Sequence, residues 1–209
     1  MSKELSENLS QYLTHNDRFF IYKEGIFYRT YDSLNETFPR SLKIIDSDNR
    51  TTSIINNYIE TTMFNTFDIH GICSGFPNYL KTLSIKEKYP FIEDLACLEL
   101  KAASSFHNDT IDFLSIEELV KLFQLPEDKI CLNLQKSVCF FESCWPIVQL
   151  CNDIDNCSDS IMLKYEKKDS NFLFIIYLLD ENVKVEPLRN DEFLFLTSLK
   201  KKSIIKKVM

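Results

Sequence analysis

The spacing of the apolar residues changes near residue 106, and this change constrains the fold more than any other feature. In the first half, apolar residues recur every three to four positions, as in Ser53–Phe64, and form one face of a helix. In the second half they alternate with polar residues, as in Ser160–Lys167, which is typical of strands. The pattern predicts an α+β fold: a helical bundle domain over residues 1–105, then an α+β domain over residues 106–209 with a small antiparallel sheet and a C-terminal helix.

Proline and glycine positions set the predicted limits of the helices in the first half. The helix Phe19–Phe38 is expected to stop at Pro39, because proline cannot continue a helix. A loop is expected over His70–Gly75, where two glycines occur, and Pro77 suits the first turn of the helix that follows. A further helix opens at Pro90.

The second half contains four predicted strands and two predicted helices. The predicted strands are Ile130–Phe141, Ser160–Lys167, Asn171–Leu179 and Val183–Glu186, the last of which ends at Pro187. The polar residues Lys167–Ser170 predict a hairpin turn between the second and third of these strands. Ser115 and Glu118 have the spacing of a capping box, which predicts the start of a short helix. Asn190–Glu192 caps the final helix, which extends to about Ile205.

The charge balance argues against a nucleic-acid partner. The chain carries 24 Lys and Arg residues against 31 Asp and Glu residues, a net charge of −7. Residues 1–105 carry 11 against 14, a net charge of −3. Binding to a phosphate backbone needs clustered Lys and Arg, whereas an acidic surface attracts basic peptides and proteins. A DNA-binding transcriptional regulator that uses the helical domain is therefore the weaker alternative, and we expect no nucleic-acid partner.

The apolar runs are too short for a membrane protein. The longest run, Phe172–Leu179, has eight residues, and a membrane-spanning helix needs about 20. The first seven residues lack the apolar core of a signal peptide. We therefore expect a cytoplasmic protein without a membrane contact.

The chain shows no recognisable catalytic motif. Gly-x-Ser-x-Gly, Walker and Gly-x-Gly-x-x-Gly patterns are absent, and none of the three histidines has a His or Glu partner at i+3 or i+4. Cys139, Cys144, Cys151 and Cys157 form a loose cluster without a Cys-x-x-Cys pair. Burial as small apolar side chains is favoured for them, and a metal or redox site is the alternative. We expect a binding or accessory subunit without catalytic residues, metal or cofactor of its own.

Short motifs in a fixed order resemble a family of bacterial accessory proteins whose helical domain was once labelled as DNA-binding. The motifs are Tyr22–Tyr28, Tyr31–Pro39, Tyr58, Gly75–Leu80, Tyr89–Glu99, Ser143–Leu150 and Ile161–Tyr165. The likeness covers about residues 18–200. Within the family, the chain is most similar to the partner subunits of methanobactin biosynthesis (MbnC-like), and a sister branch that serves other metal-buffering peptides is the alternative.

The resemblance implies a non-catalytic partner subunit. Members of this family form a heterodimer with a multinuclear non-haem iron oxidase of TIM-barrel fold and help to bind the leader of a short precursor peptide. In the methanobactin branch, the oxidase converts cysteines of the ribosomally made peptide into oxazolone and thioamide groups of a copper chelator. The resemblance therefore implies that iron lies in the partner enzyme and that the sheet of residues 106–209 binds the peptide.

A leader peptide can bind by adding a strand to an unpaired sheet edge. Three predicted strands are candidate edges: Ile130–Phe141, Ser160–Lys167 and Val183–Glu186. The last is short and ends at Pro187, which is a common way to blunt an edge, and the middle one pairs on one side with the strand that follows. We place the leader on Ile130–Phe141, where Asn133, Gln135 and Ser137 are polar residues that suit an exposed edge. The alternative is that these three residues lie on the solvated face of a closed sheet.

A second set of candidate residues concerns the enzyme partner. Phe76, Tyr79 and Tyr89 flank loops within the family's motifs, and aromatic residues are enriched at protein interfaces. We therefore expect them to contact the oxidase. The alternative is that these three rings fill the core of the helical bundle.

Overall fold

The computed structural model describes residues 15–46, 49–62, 69–108, 115–125, 134–156 and 165–202, and these contain nine helices and three strands. The helices are α1 (His15–Thr37), α2 (Pro39–Asp46), α3 (Thr51–Thr62), α4 (Ile69–Thr82), α5 (Ile85–Lys88), α6 (Ile92–His107), α7 (Ile116–Phe123), α8 (Ile147–Asn156) and α9 (Asn190–Lys202). The strands are β1 (Cys139–Ser143), β2 (Phe172–Leu179) and β3 (Asn182–Leu188). This order confirms the predicted α+β class, with an N-terminal helical bundle, a small antiparallel sheet and a C-terminal helix.

The first helices follow the predicted apolar periodicity. α1 starts earlier than the predicted helix, at His15, and ends at Thr37, one residue before the predicted end at Phe38. Pro39 takes the first position of α2, where a missing N–H breaks no helical hydrogen bond. In α3, the predicted apolar stripe is buried, from Ile54 to Ile59. At α7, Ser115 and Glu118 form the predicted capping box, with the Glu118 N–H donating to Ser115 Oγ at 3.2 Å.

The predicted loop over His70–Gly75 is wrong, because α4 is continuous through these residues. No glycine of the described residues has a positive φ, so the glycines here do not form turns. Gly75 instead permits a close approach between α3 and α4: a β-carbon at Gly75 would lie 2.7 Å from the Tyr58 hydroxyl oxygen. Pro77 consequently lies inside the helix rather than in its first turn.

β2 is the central strand and pairs antiparallel with β1 on one side and β3 on the other. It matches the predicted strand Asn171–Leu179 within one residue. The predicted hairpin between this strand and Ser160–Lys167 is wrong, because β1 and β3 already occupy both edges of β2. Residues 160–164 lie outside the described part of the chain, and Tyr165–Lys167 are not part of the sheet.

The predicted strand Ile130–Phe141 is also largely wrong. Only its last three residues belong to a strand, β1, which continues to Ser143. Residues 130–133 lie outside the described part of the chain, and residues 134–138 form a turn and its approach to the strand. Of the described apolar residues that suggested alternation, Leu134 and Val138 precede the strand, whereas Phe140 and Phe141 belong to it.

A two-residue turn, Asp180-Glu181, connects β2 and β3. The φ angles of these residues are 48° and 61°, the left-handed conformation that a type I′ hairpin turn requires. β3 begins one residue before the predicted strand Val183–Glu186 and continues through Pro187 to Leu188. Proline is tolerated there because β3 is an edge strand, where a residue can lack an N–H on the side that faces away from the ladder.

One hydrophobic core runs through both halves of the chain. α6 lies at its centre and packs against α2 and α4 on one side and against the sheet on the other. Phe91, just before α6, contacts the ring of Trp145 edge-on at 5.9 Å between centroids. Phe174 and Ile176 of β2 are buried in the same cluster. The residues predicted as two domains therefore share a core, and their division into separate folding units stays a prediction.

Candidate functional site

The outer edge of β3 presents backbone groups that pair with no other strand among the described residues. In a two-residue hairpin, the closing pair exchanges both hydrogen bonds, and here that pair is Leu179 and Asn182. Hydrogen-bonded and non-bonded pairs then alternate along the ladder. Val183, Val185 and Pro187 consequently direct their backbone groups away from β2, and the missing N–H of Pro187 falls on this outer side.

The other edge of the sheet, on β1, is more enclosed. Along the β1–β2 ladder, the backbone groups of alternate β1 residues point toward β2, so those of Phe140 and Glu142 point outward. Hydrogen bonds already hold the backbone at both ends of β1: the Val138 carbonyl accepts from Lys200 Nζ at 2.6 Å, and the Cys144 carbonyl accepts from the Lys168 N–H at 3.0 Å. An added strand therefore has a longer unobstructed backbone on β3 than on β1.

A cavity of about 450 Å³ opens beside the start of β3. We call it the β3-edge cavity; its lining includes Glu36, Thr37, Arg40, Glu99, Phe106 and Val183. The walls come from the end of α1, the start of α2 and one side of α6, with Val183 at the sheet side. The cavity thus lies between the helical bundle and the outer edge of the sheet.

Glu99 is the most buried charged group of this cavity, with 4% of its surface exposed. Its carboxylate accepts hydrogen bonds at the N-terminus of α2, from the Arg40 N–H at 2.7 Å, the Ser41 N–H at 3.2 Å and the Ser41 hydroxyl at 2.6 Å. Burial raises the pKa of Glu99 to about 7, and the hydrogen bonds only partly oppose this effect. Glu99 thereby joins α6 to α2 and carries a carboxyl group poised to change charge near neutral pH.

The other charged groups of the cavity differ in their partners. The Arg40 guanidinium makes a bidentate contact with Asp155 of α8, with Nε to Oδ1 at 2.9 Å and Nη2 to Oδ2 at 2.7 Å, and this contact raises the pKa of Arg40. The exposed His107 ring lies edge-on to Phe106. Glu36 is exposed and has no hydrogen-bond or ion-pair partner within the described ranges. Its carboxylate is therefore available to a ligand.

The three residues expected to bind the leader do not share a strand edge. Asn133 lies outside the described residues, Gln135 is half-buried in the turn before β1, and Ser137 is buried. The Ser137 carbonyl accepts from the Ser105 hydroxyl at 2.7 Å, which ties this turn to α6. The expectation that Ser137 lines an exposed edge is therefore wrong, because the turn packs against the helix. A role of Asn133 and Gln135 in peptide binding stays a prediction.

The three aromatic residues expected to contact the enzyme lie at different depths. Phe76 and Tyr89 are buried, with 0% and 5% of their surface exposed. These two rings therefore fill the core, which was the alternative to an enzyme contact. Tyr79 is half-buried and packs its ring against Tyr58 at 4.9 Å between centroids. Of the three, Tyr79 alone is not buried, and its contact with an enzyme stays a prediction.

The described members of the cysteine cluster are free thiols at different depths. Cys139 and Cys144 are half-buried, Cys151 is buried, and Cys157 lies outside the described residues. Burial raises the pKa of Cys151 to about 12, so this thiol stays protonated. Within the described ranges, no three His, Cys, Asp or Glu side chains converge in a way that would hold a metal ion.

Sequence reasoning missed the β3-edge cavity because its residues come from distant parts of the chain. Glu36 and Glu99 are separated by more than sixty positions, and no spacing connects them. The sequence contained one indication of the site. Glu99 lies on the apolar side of its helix, beside Leu95 and Leu98, and a buried acidic residue needs hydrogen-bond donors. Its donors, on Arg40 and Ser41, became identifiable only with the structure.

Comparison with known proteins finds no family model that matches this chain and no curated protein with significant sequence similarity to it. Across the described residues, no helix combines the length and the apolar composition that crossing a membrane requires.

Proposed function

We propose that the chain is the non-catalytic partner subunit of an iron-dependent oxidase that modifies a ribosomally made peptide, and that it binds the leader of that peptide. In the methanobactin-type reaction, the oxidase converts cysteines of the precursor into oxazolone and thioamide groups. The iron belongs to the TIM-barrel partner, and this chain supplies the peptide site. The observation that carries the proposal is the unpaired outer edge of β3 beside the β3-edge cavity.

An edge strand of this kind suits an extended peptide. Val183 and Val185 offer N–H and C=O groups to a new strand, and main-chain hydrogen bonds of this type give affinity with little demand on sequence. Pro187 offers only a carbonyl, which limits the paired length. A short leader segment therefore fits this edge better than a long strand does.

Exposed apolar helix faces support the role of a partner subunit. α7 exposes Ile116 and Phe123, with 81% and 77% of their surface accessible, and α9 exposes Leu194 and Phe195. Ile116 and Phe123 are seven positions apart and therefore lie on one face of α7, and an exposed apolar helix face is typical of surfaces that contact other proteins.

The proposal is tested by reconstituting the reaction from three separate components: this chain, the iron oxidase and the precursor peptide. We expect the chain and the oxidase to elute as one complex, and the mass of the precursor to change only when both are present. Modification by the oxidase alone at an equal rate would contradict the proposal. So would elution of the two proteins as separate species.

Two proline variants at matched positions identify the edge that binds the peptide. Val185→Pro removes an outward N–H from β3, and Glu142→Pro removes one from β1, while the ladders to β2 keep their donors. We expect Val185→Pro to abolish peptide binding in calorimetry and Glu142→Pro to leave it unchanged, with circular dichroism as the control for folding. The reverse result would place the peptide on β1.

A further inference from the structure

We propose that the β3-edge cavity is a specificity pocket for a basic side chain, lysine or arginine, of the peptide strand that pairs with β3. This inference rests on the proposed function, because the strand must be bound before its side chain can enter the pocket. It adds the chemical class of the residue that is recognised.

The pleat of the sheet directs a side chain of the added strand into the cavity. Side chains of directly opposed residues in neighbouring strands lie on the same face of a sheet. Val183 pairs with Leu178 and lines the cavity, so it faces α6. A peptide residue opposite Val183 therefore points toward α6 and into the cavity, while its two neighbours in the peptide point to the other face.

The charges of the cavity favour a cation. Glu36 contributes an exposed carboxylate without a partner among the described residues, whereas the buried Glu99 carboxyl is already held by donors of Arg40 and Ser41. The positive charge of Arg40 is engaged by Asp155, outside the cavity. A Lys or Arg head group would thus meet unpaired negative charge, and charge-assisted hydrogen bonds of this kind are about twice as strong as neutral ones.

The apolar part of the lining suits the stem of the same side chain. Phe106, Ala103 and Val183 border the cavity, and the ring of Phe106 is half exposed. Lys and Arg side chains bury their aliphatic stems on such surfaces while the charged head reaches polar groups. A side chain that is only apolar would gain no ion pair with Glu36, and an acidic one would be repelled.

The test is a selection with a phage-displayed library of random nine-residue peptides against the full chain. A library of this kind assumes nothing about the natural leader. We expect Lys and Arg to be enriched about threefold at one register position, since an ion pair with an exposed carboxylate contributes a factor of roughly that size. The charge-reversed variant Glu36→Lys should lose this preference and favour Asp or Glu there. Glu60→Lys, an equal charge change at an exposed site on α3, is the matched control and should keep it.

Val185→Pro separates the two proposals in the same experiment. Peptides that depend on Val185 but show no basic position, or whose basic position survives Glu36→Lys, would overturn the specificity pocket and leave peptide binding on β3 intact. Equal recovery of peptides by the native chain and by Val185→Pro would instead overturn peptide binding at β3 itself.

Discussion

Gly75 and Tyr58 show how one residue fixes the distance between two helices. The Tyr58 hydroxyl donates a hydrogen bond to the Ile72 carbonyl, and burial raises the pKa of Tyr58 to about 12. A side chain at Gly75 would displace this hydroxyl, which lies 2.7 Å from the position of the missing β-carbon. We therefore expect Gly75→Ala to lower the free energy of unfolding by about 1–3 kcal/mol.

The matched background for this prediction is Tyr58→Phe, which removes the hydroxyl that the new methyl group would meet. In that background, the added cost of Gly75→Ala should fall below about 1 kcal/mol in urea unfolding, because the clash is gone. An equal cost in both backgrounds would show that Gly75 is required for another reason.

The second prediction at this scale concerns the pH dependence that Glu99 gives to stability. The pKa of its carboxyl is about 7 in the folded protein, against 4.5 as the ordinary value, so the folded protein holds a proton that the unfolded chain releases. The contribution of Glu99 to stability is therefore complete below pH 4.5 and is lost as the pH rises to about 7, by up to about 3 kcal/mol.

Glu99→Gln removes this titration and is the control. Urea unfolding of both proteins across this pH window measures the difference, which cancels the titration of other groups such as Asp94. Between pH 4.5 and pH 7, we expect the free energy of unfolding to fall more for the native chain than for Glu99→Gln. Parallel curves for the two proteins would contradict the assignment.

Among the elements, those defined by local signals were predictable and those defined by pairing were not. The capping box at Ser115 and the apolar stripe of α3 depend on residues within one or two turns, and both are confirmed. Strand partners depend on residues far apart, and periodicity does not identify them. The predicted hairpin before β2 is wrong for this reason, because its polar turn residues, Lys167–Ser170, precede a strand whose edges β1 and β3 occupy.

The hairpin between β2 and β3 was not predicted, because its turn lacks the residues that usually mark such turns. Type I′ turns usually contain glycine or asparagine, and this chain, with three glycines, uses Asp180 and Glu181. Glu181 has a φ of 61°, a conformation that glycine adopts at lower cost. We expect Glu181→Gly to raise the free energy of unfolding by about 0.5–1 kcal/mol.

Glu181→Ala is the control for this turn, because it removes the side chain but keeps the β-carbon that disfavours a positive φ. Chemical denaturation should show a change near zero for alanine and a gain for glycine. A loss of stability with glycine would mean that the Glu181 side chain, not the backbone conformation, determines the turn.

At the scale of the whole molecule, the shared core predicts one cooperative unfolding transition. Trp145 packs on Phe91 at the junction between the helices and the sheet, so its fluorescence reports the contact between the two halves. Far-UV circular dichroism reports mainly the helices. We expect the two signals to change together in urea, because neither half can lose the core alone. Separate midpoints would show that residues 1–105 and 106–209 unfold independently.

The overall class was predictable because it depends on apolar periodicity, but the candidate site was not. The outer edge of β3 and the cavity beside it arise where α1, α2, α6 and the sheet meet, and their residues are distant in sequence. The sequence led us to expect peptide binding at a sheet edge, but it placed the peptide on Ile130–Phe141. The register of β2 and β3 then indicates which backbone groups that edge offers.

The central claim, that a peptide strand pairs with the outer edge of β3, is tested most directly by amide hydrogen exchange of the full chain with and without the precursor peptide. Hydrogen bonds to an added strand would slow the exchange of the Val183 and Val185 amides, which point away from β2. The amides of Phe140 and Glu142, on the edge of β1, should exchange at unchanged rates. Protection of Phe140 and Glu142 instead, or unchanged exchange at Val183 and Val185 with bound peptide, would contradict the account.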